Sequence, residues 1–237
     1  MKHPEDEPGF NLETLRGTHN YNQWIYSHMR PYLGGSVLEL GCGIGNLTEL
    51  FLRDERRVLA IDIEEKMTRE HARVISARPK LKLENRSIQS LLPEQAGTFD
   101  SVVSSNVLEH IPDGVEAEVI RASYELLKPG GVSTHWVPAM QCIYGSLDRR
   151  FEHCRRYGKQ QLIGRFEAAG FKVERCMYRN ITGFFGWWWQ SRVLKVTRIS
   201  PAAALSYDRY IVPLASRVER HVWLPFGQSL WLAARKI

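Results

Sequence analysis

The sequence predicts an α/β fold: a mainly parallel sheet with helices on both of its faces. Three observations predict it. Short runs dense in valine, leucine and isoleucine, such as Val37-Leu38-Glu39-Leu40 and Val58-Leu59-Ala60-Ile61, are apolar at successive positions and read as strands buried on both faces. Segments with helical periodicity separate them, at the length that a right-handed crossover between parallel strands needs. The strongly apolar stretches stop at strand length, so no membrane span is expected.

Residues 1–10 read as a polar tail, and Met1 to Pro8 lack the apolar centre of a leader peptide. Leu12 to Tyr32 is helical, with Tyr21, Trp24, Ile25, His28 and Met29 largely on one face, and it ends at Pro31 and Gly34-Gly35. The first strand, Val37–Leu40, runs into Gly41-Cys42-Gly43-Ile44-Gly45-Asn46 and then a helix from Leu47. Arg57–Asp62 is the second strand, 64–77 a helix stopped by Pro79, Leu81–Glu84 a short third strand and Phe99–Ser105 the fourth. Pro112 and Asp113 start a helix to Leu127. Lys128-Pro129-Gly130-Gly131 is a sharp turn into the fifth strand, Val132–Val137. Residues 139–158 are loop-like, Lys159–Ala169 is a helix closed by Gly170, and Phe171–Met177 and Ser229–Ala234 are the last two strands. Between those two, residues 179–225 are aromatic and apolar, with a helical stretch around Ala202–Arg220. The expected organisation is a tail and cover helix over 1–35, a core over 36–178, and an insertion plus final strand over 179–237, all in one domain.

A chain of 237 residues can bury a sizeable core, and its 24% of charged residues argues against disorder. The formal net charge of +6 permits nucleic acid, an anionic membrane surface or an acidic substrate and requires none of them, because the cations are spread along the chain apart from Arg149-Arg150 and Arg155-Arg156. Cys42, Cys142, Cys154 and Cys176 have no CxxC spacing, so free thiols and a cytoplasmic location are expected.

Chemistry concentrates at the first strand's end. Glycines at every second position let a ligand approach bare backbone N–H groups at the start of a helix. Two acids narrow the ligand: Glu39 inside the first strand and Asp62 closing the second. A dinucleotide fingerprint, G-x-G-x-x-G, needs glycine where this chain has Asn46.

Val37–Gly45, Asp62, Phe99–His110 and Leu127-Lys128-Pro129-Gly130-Gly131 resemble, in order and spacing, the motifs of class I S-adenosylmethionine-dependent methyltransferases, over roughly residues 36–138. Tyr144–Asp148 with His153–Tyr157 resembles a bacterial subgroup that acts on small molecules. The resemblance implies a Rossmann-like seven-stranded sheet with its last strand antiparallel, S-adenosylmethionine as cofactor, and methyl transfer to a small-molecule or lipid-linked acceptor, at oxygen before nitrogen or carbon. A non-catalytic adenosyl-binding protein stays open beside it. The resemblance places Gly41, Cys42 and Gly43 along the methionine and ribose, Asp62 on the ribose hydroxyls as a charged acceptor, Ile63 and Ile88 against the adenine, and Ser87 at its amino edge. Asn106 and Val107 face the methionine end, Tyr21, Trp24, Asn46 and Met67 complete the cofactor set, and Glu39 orients the glycine turn from behind.

Methyl transfer is an in-line displacement that an enzyme assists mainly by positioning and desolvation, with a base where the acceptor carries a proton. His110 and His153 are the candidate bases, and His135, Tyr144, Arg156 and Tyr157 the candidate acceptor-pocket residues. No metal is expected, since His135-Trp136-Val137-Pro138 lacks the acids of a catechol-type site. A nucleic-acid acceptor is disfavoured, because Ser105-Asn106-Val107-Leu108 has neither the prolines nor the aromatic ring that base-methylating enzymes carry there. Trp187, Trp188 and Trp189 cannot all face one way, as helical neighbours differ by about 100°. Core packing, a lid over an apolar acceptor, a homodimer surface and, with Arg192, Lys195 and Arg198 beside them, membrane-surface contact are the roles left open.

Overall fold

The structure, a computed structural model, describes residues 17–75 and 78–237. The expected polar tail, the leader-free N-terminus, the Leu12–Arg16 start of the cover helix and the Ser76-Ala77 end of the next helix lie outside the described residues. Five strands lie parallel: β1 (Ser36–Leu40), β2 (Arg57–Asp62), β3 (Leu81–Asn85), β4 (Phe99–Ser105) and β5 (Leu127–Pro138). With β6 (Phe171–Arg179) and β7 (Ser229–Lys236) they form one seven-stranded sheet in the order β3-β2-β1-β4-β5-β7-β6. β7 runs antiparallel to both of its neighbours.

Successive residues of a strand point to opposite faces, and here both faces meet apolar cover. Leu38, Leu59 and Val102 pack on one side with α5 (Asp113–Leu126) and α7 (Lys159–Ala168). Val37, Val58 and Val103 pack on the other with α1 (His19–Met29) and α2 (Thr48–Arg53). α3 (Glu65–Val74) and the short α4 (Leu92–Gln95) flank β3. The segment between β5 and α7 holds α6 (Ser146–Arg150), which sequence periodicity misses because it is a single turn. Between β6 and β7 lie α8 (Ile181–Trp188), continued by a π turn over Trp189–Val193, then α9 (Pro201–Ser206), a second π turn over Tyr207–Ile211 and α10 (Val212–Glu219).

Two boundaries differ from expectation. β5 begins at Leu127, so Lys128–Gly131 is the irregular start of the strand, with the register shifting between Phe99 and Ser101. The step from Phe99 to Ser101 in β4 stands opposite the longer one from Leu127 to Val132 in β5, so the expected turn is present as a bulge within the strand. Gly130 has φ of 78°, a Cβ on Gly131 would lie 2.9 Å from the Lys128 carbonyl, and Lys128 Nζ holds Asp100 Oδ1 at 2.6 Å. β6 reaches Arg179 because β7 pairs with it as far as Ser229.

Candidate active site

β1 carries the glycine turn to the C-terminal edge of the sheet. There the strand order reverses between β2 and β4, the position where open α/β sheets bind ligands. Gly41, Gly43 and Gly45 have φ of 64°, 51° and 89°. Room is short as well: a Cβ on Gly41 would sit 2.5 Å from Val107 Cγ2, and one on Gly45 2.6 Å from Ile75 Cδ1.

The turn is tied to β2. Cys42 N–H donates to the Ile61 carbonyl at 3.0 Å, and Gly43 N–H donates to Asp62 Oδ2 at 2.9 Å. Glu64 N–H donates to Asp62 Oδ1 at 2.9 Å, which fixes the carboxylate from both sides. Burial raises the Asp62 pKa, and the backbone donors partly offset it. Behind the turn, Glu39 accepts from the Thr48 hydroxyl, joining β1 to the first residue of α2. Glu39 is buried, which pushes its carboxyl up to about 8. His71 Nδ1 lies 3.3 Å from Cys42 Sγ.

These residues suit an adenosyl group. Ile63 is 74% exposed beside Asp62, an apolar face next to a half-buried acceptor, as a flat base beside a diol requires. Asn46 Oδ1 is buried with no hydrogen-bond partner among the described residues, an acceptor that suits an ammonium. Ser87 and Asn106 are exposed, Asn106 with φ 53° and its N–H donated to the Trp136 carbonyl at 2.8 Å. Ile88 and Met67 are buried and supply packing beneath the strand ends.

The cover helix turns a different face to the site than expected. A cleft of about 400 Å³ borders Gly45, Asn46 and Glu49 and is closed on its α1 side by His19, Asn20 and Gln23. Trp24 instead packs on Val212 and Ala215 of α10, and the Tyr21 hydroxyl accepts from Trp136 Nε1 at 3.2 Å. Asn20 and Gln23 are therefore the α1 residues next to the turn, a placement set by the hold of α10 on Trp24. A larger cavity, about 580 Å³, lies along the β6 edge between Lys159 and Trp223, away from the glycine turn.

On the acceptor side, His153 Nδ1 lies 3.1 Å from Asp148 Oδ1. Asp148 is fully buried and also accepts from Arg156 Nε at 2.6 Å, Trp187 Nε1 at 3.0 Å and Gly145 N–H at 2.9 Å. Its pKa is lowered, because these donors and the Arg156 charge outweigh burial. The His110 and His153 rings meet edge to face at 4.8 Å. Glu109 is fully buried, neither carboxyl oxygen has a hydrogen-bond partner from another described residue, and burial pushes it up to about 8. Ligand atoms of Glu109, His110 and His153 all lie within 4.8 Å of one another, a nitrogen and oxygen set able to hold a divalent cation. Sequence reading looked for acids and an asparagine together after the fourth and fifth strands and expected no metal, and it did not join His153, from the later loop, to Glu109 and His110.

Three expected acceptor residues are structural. His135 lies inside the sheet, its Nδ1 2.7 Å from Ser104 Oγ and its Nε2 2.7 Å from Ser133 Oγ, and burial takes its pKa down to about 3. Arg156 pairs with Asp148 and donates to the Ala139 carbonyl at 2.9 Å. The Tyr157 hydroxyl donates to Glu116 Oε1 at 2.6 Å. Tyr144 is half-buried and donates to the His153 carbonyl at 2.8 Å, so it holds the loop that carries the histidine.

Residues 37–131 match the methyltransferase domain family. That stretch is less than half of the 237 residues, and over it the chain is similar to methyltransferase domains. The ubiquinone biosynthesis O-methyltransferase of Albidiferax ferrireducens is 38% identical over 112 residues, covering 46% of this chain and 43% of that protein. That of Acinetobacter baylyi is 36% identical over 135 residues, covering 55% and 52%. The chain thus spans about half the length of the curated relatives it matches. Among solved structures, an S-adenosylmethionine-dependent methyltransferase from Archaeoglobus fulgidus aligns with TM-score 0.60 at 19% identity, covering 91% of this chain and 94% of that one. A Haemonchus contortus phosphoethanolamine N-methyltransferase 2 in complex with S-adenosylmethionine aligns with TM-score 0.61 at 18% identity, covering 92% of this chain and 52% of that one. These two show the fold.

Proposed function

We propose that this protein transfers the methyl group of S-adenosylmethionine to an oxygen of a small-molecule or lipid-linked acceptor, with His153 as the base. The observation that carries the base assignment is the His153–Asp148 pair. A carboxylate on Nδ1 favours the tautomer with its proton there, which leaves the Nε2 lone pair to take a hydroxyl proton. The bound cofactor supplies a methyl group on a positively charged sulfur. Gly41 and Gly43 would bring bare backbone to it and Asp62 would accept from its ribose, while Val107 over Gly41 closes the turn from the β4 side. Oxygen is the acceptor atom because the curated relatives are named O-methyltransferases. Four free cysteines suit a reducing compartment, and the cytoplasm is the location this reading carries.

The cluster of Glu109, His110 and His153 favours a second reading, in which these three hold a divalent cation that lowers the hydroxyl pKa. The test is S-adenosylhomocysteine release from the purified protein with a panel of hydroxylated aromatic and polyprenylated acceptors, with and without chelator. Release that survives chelation supports His153 as the base, and release that chelation abolishes supports the cation. Tight cofactor binding with no release from any acceptor would instead mark an adenosyl-binding protein.

A further inference from the structure

Among the described residues, twelve of the fifteen large apolar side chains exposed at the surface lie between Phe185 and Trp223. Helical spacing gathers them into stripes. Phe185, Trp188 and Trp189 are three and four residues apart along α8, and Trp188 and Trp189 are 43% and 51% exposed. Trp187, between them in sequence, points inward, with its indole N–H on Asp148 and its ring under the Arg156 guanidinium at 4.6 Å. On the second helical stretch Ile211, Leu214 and Val218 recur at three and four residues and are exposed, while Val212, Ala215 and Glu219 form the neighbouring buried stripe, Val212 and Ala215 packing on Trp24. α10 is thus apolar on two sides, only one of which the fold covers.

Charge on this segment is one-sided. Its two acids turn inward: Asp208 accepts from the Tyr21 N–H at 2.7 Å and the Asn20 N–H at 3.2 Å, and Glu219 accepts from the Asn180 N–H at 2.8 Å and the Ile181 N–H at 2.9 Å. Against them stand six cations, Arg192, Lys195, Arg198, Arg209, Arg217 and Arg220. Aromatic rings beside arginine and lysine suit a lipid interface, where the rings enter the headgroup layer and the cations meet anionic lipid. An isologous contact with a second copy would set this cationic surface against itself.

We propose that residues 185–223 dock the protein on an anionic lipid bilayer. α8 then faces two ways, with Trp188 and Trp189 toward the bilayer and Trp187 toward Asp148, the carboxylate that holds His153. The inference stands apart from the methyl-transfer reading, since lipid binding is measured with no acceptor present.

The test is sedimentation with vesicles of phosphatidylglycerol and phosphatidylcholine against vesicles of phosphatidylcholine alone, at low and high salt. The wild-type protein is expected to bind the anionic vesicles at least tenfold more tightly than the neutral ones and to lose that preference in high salt. Phe185→Ser/Trp188→Ser/Trp189→Ser and, as an independent variant, Leu214→Ser/Val218→Ser are each expected to weaken binding at least tenfold. Because all five side chains are exposed, the melting temperature is expected to hold, and should one variant misfold, the other carries the test. Failure of the wild type to sediment, equal binding to neutral vesicles, or variants that bind like the wild type would overturn the proposal. So would a wild-type dimer in ultracentrifugation that the same variants dissociate, without vesicle binding.

Discussion

His153, half-buried, and Asp148, fully buried, form an imidazole–carboxylate pair, Nδ1 to Oδ1 at 3.1 Å, at the junction of α6, the histidine loop and α8. Asp148 is a poor residue to test by substitution, because it also neutralises the buried Arg156, and an unpaired buried charge costs about 3–5 kcal/mol.

His153 is the better probe. His153→Ala is expected to lower kcat about 10²- to 10⁴-fold, the usual contribution of a positioned base, while cofactor affinity by calorimetry stays within about twofold. His110→Ala, which leaves the Asp148 pair intact, is expected to cost less. Full turnover in His153→Ala would remove the base assignment.

Asp62 should separate binding from chemistry. Each hydrogen bond to a charged acceptor contributes about 1.5–3 kcal/mol, so Asp62→Asn is expected to weaken S-adenosylhomocysteine binding about ten- to a hundredfold. At saturating cofactor kcat is expected to change little. Unchanged affinity would reduce Asp62 to a clasp on the Gly43 and Glu64 N–H groups.

The strands and the glycine turn were legible because their causes are local. Val37–Leu40 is a short branched apolar run ended by glycine, which fits a strand covered on both faces, and Gly41, Gly43 and Gly45 stand where φ is positive. The seven-stranded sheet and the antiparallel β7 followed from the methyltransferase resemblance. The face of α1 was not legible, because α10, distant in sequence, captures Trp24 and so sets the helix's rotation. His135 was misplaced for a related reason: its partners Ser104 and Ser133 are ordinary strand residues that only the β4–β5 register brings to it. Asp148 escaped notice because it works from a one-turn helix with no periodic pattern.

Gly41 and Val107 give a prediction in stability. Gly41→Ala places a methyl group 2.5 Å from Val107 Cγ2 on a backbone with φ of 64°. Overpacking costs about 1–3 kcal/mol and left-handed backbone about 1–2 kcal/mol for a residue with a Cβ. The double variant Gly41→Ala/Val107→Ala is expected to recover the first part and keep the second. Denaturant unfolding of the four proteins in the cycle measures the coupling. Strict additivity would show that Val107 does not press on the turn.

Glu39 gives the pH prediction. Its carboxyl is pushed up to about 8 in the folded protein, chiefly by burial and further by the neighbouring Asp62 charge, against an ordinary value near 4.5. Between those two values the unfolded chain has released a proton that the folded chain still holds. The unfolded state then binds fewer protons, so the contribution of Glu39 to stability is fully present below about 4.5, declines as pH rises, and is lost once pH passes about 8. Glu39→Gln keeps an acceptor for the Thr48 hydroxyl and cannot ionise. The variant is therefore expected to unfold at a urea midpoint near the wild type's at pH 5 and above the wild type's at pH 9. Parallel midpoint-against-pH curves for the two proteins would mean that Glu39 ionises in the folded state as it does in water, and that its link from β1 to α2 is an ordinary charged hydrogen bond.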